Sequence, residues 1–273
     1  MQFLEPWSSP DNPFYRSDPA PGFATKNFEW QPRPVRVADA RPAMSAFTLD
    51  AHAFAFRADP RGGAAAVLAA FADNDDERVR NLYYPHVERV VKEATGAAEV
   101  VVFNHIVRRR DPSVGLFGGS KGRQQPASSY AGDAADEKLK GRCAIINVWR
   151  PLVGPVKDWP LGVMDGSTLA AVDVYPTDLW KGQFEPLGQT VNICQAEGQR
   201  WYYLKDHGVD EVTLIKIWDN DENVPAKRTV AGLGLWILLT VLVVCAHCAF
   251  EDPSTPPDAP LRQSVEARCL VFY

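Results

Sequence analysis

Residues 246–264, AHCAFEDPSTPPDAPLRQS, contain side chains whose types and spacing could support catalysis. His247 precedes a proline-rich turn, and Arg262 follows that turn two positions before Ser264. A neutral imidazole is a common metal ligand, and a guanidinium binds carboxylates through paired hydrogen bonds. Residues two positions apart on a strand share a face. The segment therefore predicts a metal ligand followed by an anion site. The alternatives are a core histidine and a surface arginine.

The length and composition are those of an ordinary globular protein. With 273 residues, 46% hydrophobic and 23% charged, the chain is long enough to bury a full core as one domain. A formal net charge of -5 argues against a nucleic-acid partner, because phosphate binding needs concentrated Lys and Arg. The five scattered cysteines favour a reducing compartment, and the first residues lack an apolar signal. We therefore expect a cytoplasmic protein.

One apolar stretch conflicts with that expectation. Residues 229–250 carry no charged residue apart from the titratable His247, and this length could cross a bilayer. Three interpretations stay open. The stretch is a membrane anchor over 229–248, a buried pair of core strands, or an insertion over 229–246 that is foreign to the fold, such as translated intron sequence. The strand-like end of the chain, SVEARCLVFY, needs a sheet and so argues against the anchor.

The remaining elements predict a mixed fold around an antiparallel β core, plausibly a jelly roll. Residues 1–34 are rich in proline and aromatic residues and predict an extended N-terminal arm. Alternation over 35–40 and 47–56 predicts a first hairpin. A helix is expected from Asp75 or Asp76 to Gly96, followed by strands that outnumber the helices.

Three blocks then carry a resemblance to a known family. They are NVWRPLVGPVKDWPLGVMD at 147–165, QRWYYLKDHGVDEVTLIKIWD at 199–219, and the residues from 247 to the end. In this order they resemble the fungal hydroxylase/desaturase family of secondary metabolism, of the aspergillic-acid hydroxylase type. That family is related to the cephem 7α-methoxylase chain and to fungal gibberellin desaturases. The resemblance covers 35–273, which we expect to form a single oxygenase-like domain.

The resemblance implies a double-stranded β-helix and non-haem chemistry with Fe(II) and 2-oxoglutarate, by which a small molecule is hydroxylated or desaturated. In such a site two histidines and one carboxylate hold the iron and leave three positions for the co-substrate and dioxygen. The resemblance makes His247 the late histidine. It makes Arg262 with Ser264 the 2-oxoglutarate anchor, with Arg268 as the alternative.

The first half of that iron site is missing from the sequence. The resemblance places a His-x-Asp pair shortly before NVWRP, yet no histidine occurs between His105 and His207. Asp133 and Asp136 remain as carboxylates, and neither has a histidine two positions earlier. His105 is a possible substitute ligand. We expect an oxidoreductase by descent with an incomplete iron site; the alternatives are a catalytically silent small-molecule-binding paralogue and a membrane-anchored protein.

The partner expected from these features is a small-molecule substrate. Polar and aromatic residues of the first two blocks are candidates for its pocket. Those of the first block are equally compatible with a structural role, and the aromatic run of the second block is more often part of a core. They are Asn147, Trp149, Arg150, Trp201 and Tyr202.

Overall fold

A computed structural model describes residues 1–113, 138, 140–183, 185–221, 223–224 and 245–273. Within these residues the fold is mostly β, with few helices. The strands are β1 (Gln2–Leu4), β2 (Phe14–Ser17), β3 (Trp30–Pro32), β4 (Val37–Asp39), β5 (Phe54–Ala58), β6 (Glu99–Arg109), β7 (Cys143–Pro151), β8 (Leu161–Met164), β9 (Val174–Lys181), β10 (Glu185–Ile193), β11 (Trp201–Tyr203), β12 (Glu211–Asp219), β13 (His247–Ala249) and β14 (Gln263–Phe272). The α-helices are α1 (Leu49–His52), α2 (Ala65–Ala72) and α3 (Asp76–Thr95). Short 3-10 turns occupy Arg41–Ala46, Gly166–Thr168 and Ala171–Asp173.

Helix α3 confirms the helix predicted from the sequence. The carboxylate of Asp75 accepts a hydrogen bond from the backbone N–H of Arg78, which satisfies a free donor of the first turn. The helix ends at Gly96, whose φ of +71° lies in the left-handed region that glycine adopts without strain. The apolar stripe of Val79, Val87 and Val91 is buried against the main sheet.

The main sheet has five antiparallel strands in the order β5-β12-β7-β14-β6. The alternation of β14 decides what lies on each of its faces. Val265 and Ala267 are completely buried in the cluster that contains α2 and α3. Ser264, Glu266 and Arg268 therefore lie on the opposite face of the sheet.

A second sheet, in the order β13-β8-β11-β4, covers that opposite face. One hydrophobic cluster contains Phe54, Trp149 and Ile215 of the main sheet together with Val163 of β8, and Tyr202 of β11 packs against it. The space between the two sheets is called the interior below. The even-numbered side chains of β14 face the interior.

The predicted first hairpin is wrong. Strand β4 lies in the second sheet beside β11, whereas β5 pairs with β12 at the edge of the main sheet. Alternation over the two runs identifies extended backbone but carries no information on its partner. The 3-10 turn of Arg41–Ala46 separates the runs. Helix α1 occupies part of the second run, where a strand was expected, and Thr48 caps it by accepting from the N–H of Ala51.

The first 34 residues contain three short strands. Strand β1 pairs with β3, and β2 extends the pair β9–β10 in parallel with β9. Phe3, Leu4 and Phe28 are buried, which ties this part of the chain to the body of the protein. The boundary at residue 34 stays a prediction.

The apolar stretch at 229–250 falls mainly on residues 225–244, which lie outside the described residues. Of the predicted insertion, only Cys245 and Ala246 are described: Cys245 is buried, and the carbonyl of Ala246 accepts from the N–H of Met164 at 2.8 Å. In the part of the chain that the structure describes, no helix has the length and apolar character needed to cross a membrane.

Candidate active site

His247 and Glu266 face each other across the interior. His247 lies on β13 and Glu266 on β14, and His247 Nε2 is 3.7 Å from Glu266 Oε2. His247 Nδ1 lies 2.8 Å from the carbonyl oxygen of Cys245, a geometry in which Nδ1–H donates. Burial lowers the pKa of His247, but the Glu266 carboxylate outweighs burial and leaves the pKa raised. The pair therefore places one imidazole and one carboxylate side by side.

The pKa of Glu266 is also set by burial and by neighbouring charges, which act in opposite directions. Burial raises the pKa of this carboxyl, whereas His247, Arg268 and Arg108 lower it, and the net pKa is below the ordinary value. Glu266 is therefore held as a carboxylate in the interior. Glu266 was not among the candidate residues, although it is the one acid of β14 and this was a signal for it.

Arg262 and Ser264 are in direct contact, as their spacing predicts. Arg262 Nη1 donates to Ser264 Oγ at 2.9 Å, and Ser264 is 1% exposed. Arg262 Nε is buried with no hydrogen-bond partner. Burial lowers the pKa of Arg262, and the neighbouring Arg108 and Arg110 lower it further against the opposing effect of Asp158. The positive charge of this guanidinium is not fully compensated by neighbouring carboxylates, and its Nε–H has no acceptor. Both are features of an anion-binding site.

A dicarboxylate co-substrate fits this site. Arg262 offers an unused buried donor, Ser264 offers a hydroxyl, and Arg108 lies on β6 directly opposite Ser264. Cross-strand neighbours share a face, so Arg108 adds positive charge on the interior side. The arrangement is suited to hold the distal carboxylate of 2-oxoglutarate.

A facial-triad iron site does not fit the described residues. His247 and Glu266 supply two potential metal ligands, whereas the triad of two histidines and one carboxylate needs three. Among the residues that the structure describes, no group of three or more His, Cys, Asp or Glu side chains could hold a metal ion. Asp133 and Asp136 lie outside the described residues.

His105 is not placed to substitute for the missing histidine, so this expectation is corrected. Its ring lies on the helix side of the main sheet, where Nδ1 is 3.0 Å from Tyr84 Oη and Nε2 is 3.4 Å from Asp76 Oδ1. It also makes an edge contact with Phe71. The register explains the outcome: His105 pairs with Ala267, whose side chain is buried beneath the helices.

Arg268 also faces the interior but is engaged differently from Arg262. Arg268 Nε lies 3.7 Å from Glu266 Oε1, so its charge is partly compensated. Its cross-strand neighbour on β7 is Asn147. Arg268 therefore remains the alternative anchor for 2-oxoglutarate, although in the structure its guanidinium pairs with Glu266.

Asn147 and Trp149 lie on the interior face of β7. Both are buried, and Asn147 Oδ1 has no hydrogen-bond partner. The register pairs Trp149 with Glu266 on β14 and with Thr213 on β12, which brings Trp149 into the same region as the His247–Glu266 pair. This oxygen is free to accept a hydrogen bond, and the pocket role of Asn147 stays a prediction.

The prediction that Arg150 lines a pocket is corrected. Its side chain is completely buried on the helix side of the sheet and forms a salt bridge with Asp59. It also donates to the carbonyls of Asp59 and Val209 and to Tyr83 Oη. Successive residues of a strand point to opposite faces, so Trp149 and Arg150 cannot both face the interior.

Trp201 and Tyr202 also point in opposite directions from β11. Trp201 is buried in a separate cluster, edge-on to Phe3 at 5.9 Å, and its Nε1 has no partner. Tyr202 packs on Phe47 with ring centroids 4.7 Å apart. Tyr202 thus belongs to the cluster between the two sheets, whereas Trp201 contacts the N-terminal segment.

His207 is a further interior residue that the sequence did not single out. It is 3% exposed, its ring lies 5.1 Å from that of Trp149, and its Nε2 has no partner. Burial lowers the pKa of His207 to about 4. The ring is therefore neutral in the folded protein near pH 7.

This neutral histidine predicts a loss of stability in mild acid. In the unfolded chain the pKa of His207 is about 6.5. Between about pH 6.5 and pH 4 the unfolded state therefore carries a proton on this ring that the folded state does not bind. The free energy of unfolding should fall by about 1.4 kcal/mol per pH unit over this window. Urea unfolding of the wild type and His207→Gln at pH 7 and pH 5 measures it. If the free energy of unfolding falls equally in the two proteins between pH 7 and pH 5, His207 is not the group responsible.

Comparisons with known proteins agree with this organisation. A family model described as "Oxidoreductase/YMDC permease-like domain" matches residues 1–232 and 238–272. The Fe(II)/2-oxoglutarate-dependent dioxygenase nvfI of Aspergillus novofumigatus is 34% identical over 100% of this chain and 95% of its own length. A solved structure of the iron and alpha-ketoglutarate-dependent endoperoxidase NvfI superposes with a TM-score of 0.83, at 33% identity, over 100% of this chain and 96% of that one. Aspirochlorine biosynthesis protein N of Aspergillus oryzae is 51% identical, but the match spans 56% of this chain and 57% of that protein.

The fold and the arginine-lined interior thus define an oxidoreductase of the 2-oxoglutarate-using class. The chain belongs to the family of Fe(II)/2-oxoglutarate-dependent dioxygenases and hydroxylase/desaturases of fungal secondary metabolism. The family resemblance drawn from the three sequence blocks is confirmed, as are the cofactors of that family.

Proposed function

We propose that this chain binds 2-oxoglutarate through Arg262 and Ser264 and serves the oxidative tailoring, by hydroxylation or desaturation, of a small-molecule intermediate. The observation that carries the proposal is the Arg262 guanidinium, which is held on Ser264 while its buried Nε has no partner. A buried N–H without an acceptor is costly, and a bound carboxylate removes that cost. The comparisons support the chemical class, since relatives carry the names dioxygenase and hydroxylase/desaturase.

The roles of the other interior residues follow from their positions. His247 is the one histidine of the iron site that this chain retains, and Glu266 keeps a negative charge beside it. Asn147, Trp149 and Tyr202 border the substrate. When bound, 2-oxoglutarate would supply two of the four electrons that reduce dioxygen and would leave as succinate and CO2, with the other two electrons coming from the small-molecule substrate.

We further propose that the two facing sheets are the two halves of a double-stranded β-helix within one domain over 35–273. In that arrangement residues 229–246 are an insertion in the chain between β12 and β13, and its last two residues make backbone hydrogen bonds: the N–H of Cys245 donates to the carbonyl of Lys216, and the carbonyl of Ala246 accepts from the N–H of Met164. A cytoplasmic location accords with the five cysteines, which are free in the structure.

The proposal predicts stabilisation by a dicarboxylate 2-oxo acid. At a ligand concentration tenfold above Kd, a single site adds about 1.4 kcal/mol to the free energy of unfolding, which raises Tm by roughly 2–3 °C for a chain of this size. We expect that shift with 2-oxoglutarate in a thermal unfolding assay. The matched control is 2-oxobutyrate, which lacks the distal carboxylate and should leave Tm nearly unchanged. Equal shifts with both compounds would exclude Arg262 as a distal-carboxylate anchor.

A further inference from the structure

Asp158 links the two chain segments that carry the arginines of the co-substrate site. Its Oδ1 accepts from Arg110 Nη1 at 3.0 Å, and its Oδ2 accepts from the backbone N–H of Arg262 at 2.9 Å. The Asp158 side chain is 8% exposed. Arg110 and Arg262 are also joined directly, since the N–H of Arg110 donates to the carbonyl of Arg262 at 2.9 Å. One carboxylate thus fixes both the end of β6 and the start of β14.

The backbone next to Asp158 is held in a costly conformation. Trp159 has a φ of +44°, in the left-handed region that a bulky side chain rarely adopts. The guanidinium of Arg110 lies over the Trp159 ring at 5.3 Å, so the same arginine contacts both residues. Strain of this kind persists only where surrounding contacts over-determine the conformation. The segment is therefore fixed at the place where it meets Arg262.

We propose that Asp158 is a positioning residue of the co-substrate site, which fixes the start of β14 so that the Arg262 guanidinium is held on Ser264 with its Nε free for a carboxylate. The inference rests on the proposed function, because it assigns Asp158 a role in the binding of 2-oxoglutarate. Asp158 acts through Arg262 and Arg110 and makes no contact with the ligand.

The alternative role for Asp158 is simple charge compensation among Arg108, Arg110 and Arg262. The two roles predict effects of opposite sign. Loss of a negative charge beside three guanidiniums strengthens their attraction for an anion, so a purely electrostatic role predicts tighter binding. Loss of the bridge lets the Arg262 backbone and guanidinium leave their bound geometry, so a positioning role predicts weaker binding.

Asp158→Asn separates the two roles with little change in shape. Arg110 and the N–H of Arg262 donate to different oxygens of Asp158, and in a carboxamide of the same orientation one of these two positions is an NH2 group, which donates and cannot accept. The NH2 group must face one of these donors and break that link. The matched control is Asp206→Asn, which removes the same charge from an exposed carboxylate that pairs with Lys157 on the adjoining surface.

The experiment measures Kd for 2-oxoglutarate and for 2-oxobutyrate by ligand-detected NMR with the full chain. We expect Asp158→Asn to weaken 2-oxoglutarate binding by tenfold or more and to reduce its preference over 2-oxobutyrate, with Asp206→Asn unchanged. A loss of folded protein alone lowers the apparent affinity for both compounds equally and leaves the preference intact. A preserved preference, or tighter 2-oxoglutarate binding, in Asp158→Asn overturns the inference.

Arg262→Ala in the same series distinguishes the inference from the proposed function. If Arg262→Ala retains the affinity and preference of the wild type, the proposed function itself fails. If Arg262→Ala loses them while Asp158→Asn retains them, the co-substrate site stands and the role of Asp158 is wrong.

Discussion

Fe(II) titrated anaerobically into this chain should bind weakly, and addition of 2-oxoglutarate and oxygen should release little succinate. All five histidines lie in the described residues, and none joins His247 and Glu266 in a group of three potential ligands. His105 points under the helices and His207 is buried against Trp149. Two donors cannot form the three-ligand face that leaves open positions for co-substrate and dioxygen.

A variant with a restored His-x-Asp pair should reverse this result. The pair is inserted between Ser129 and Tyr130, and residues 229–244 are removed. Cys245 and Ala246 are kept, because the Cys245 carbonyl accepts from His247 Nδ1 and the Ala246 carbonyl accepts from the N–H of Met164. We expect Fe(II) affinity to rise by at least about 100-fold, because even the loss of a group that only hydrogen-bonds to a metal ligand weakens metal sites by roughly 10- to 100-fold. Succinate release should appear with it. A matched variant with Ala-x-Ala at the same place controls for the insertion itself.

Stoichiometric iron and rapid succinate release from the unmodified chain would contradict this account. The ligand set would then have to include a carboxylate from residues 114–137, such as Asp133 or Asp136, together with His247 and Glu266. Loss of iron on Glu266→Gln in the unmodified chain would identify that set.

Arg262→Ala should abolish 2-oxoglutarate binding, whereas Arg268→Ala should mainly lower the free energy of unfolding. Each hydrogen bond to a charged group contributes about 1.5–3 kcal/mol, so the loss of a two-pronged contact weakens Kd by more than about 100-fold. Arg268 instead lies 3.7 Å from Glu266, and its removal leaves that buried carboxylate with less positive charge around it. Calorimetric titration and urea unfolding of both variants separate the two effects.

Arg262→Lys provides the matched control. It keeps the positive charge but not the planar fork, so we expect it to regain little of the affinity. If Arg262→Ala binds 2-oxoglutarate like the wild type and Arg268→Ala does not, the anchor is Arg268.

The sequence by itself determined the family, the main strands and the common face of Arg262 and Ser264. These follow from local properties: ordered sequence blocks, hydrophobic alternation, and the two-residue period of a strand. Helix α3 was also predictable from the sequence, because Asp75 and Gly96 mark its ends through interactions within the segment itself. The absence of a second histidine near NVWRP could also be seen in the sequence alone.

Only the tertiary structure decided which face each polar residue occupies and which residue it meets. Trp149 and Arg150 look equivalent as pocket candidates in the sequence. Because neighbouring residues of a strand point to opposite faces, Arg150 pairs with Asp59 on the helix side and Trp149 lies in the interior. His105 failed as a ligand because its register with Ala267 fixes it on the helix side. Alternation defines two faces of a strand but does not say which one a neighbouring sheet will cover.

The same reason explains why Glu266 and Asp158 became visible only in the fold. Glu266 meets His247 across two sheets, and Asp158 reaches Arg262 from a position more than a hundred residues earlier in the chain. Such contacts depend on how sheets are stacked and how loops close, which are set by packing of the whole core rather than by local sequence.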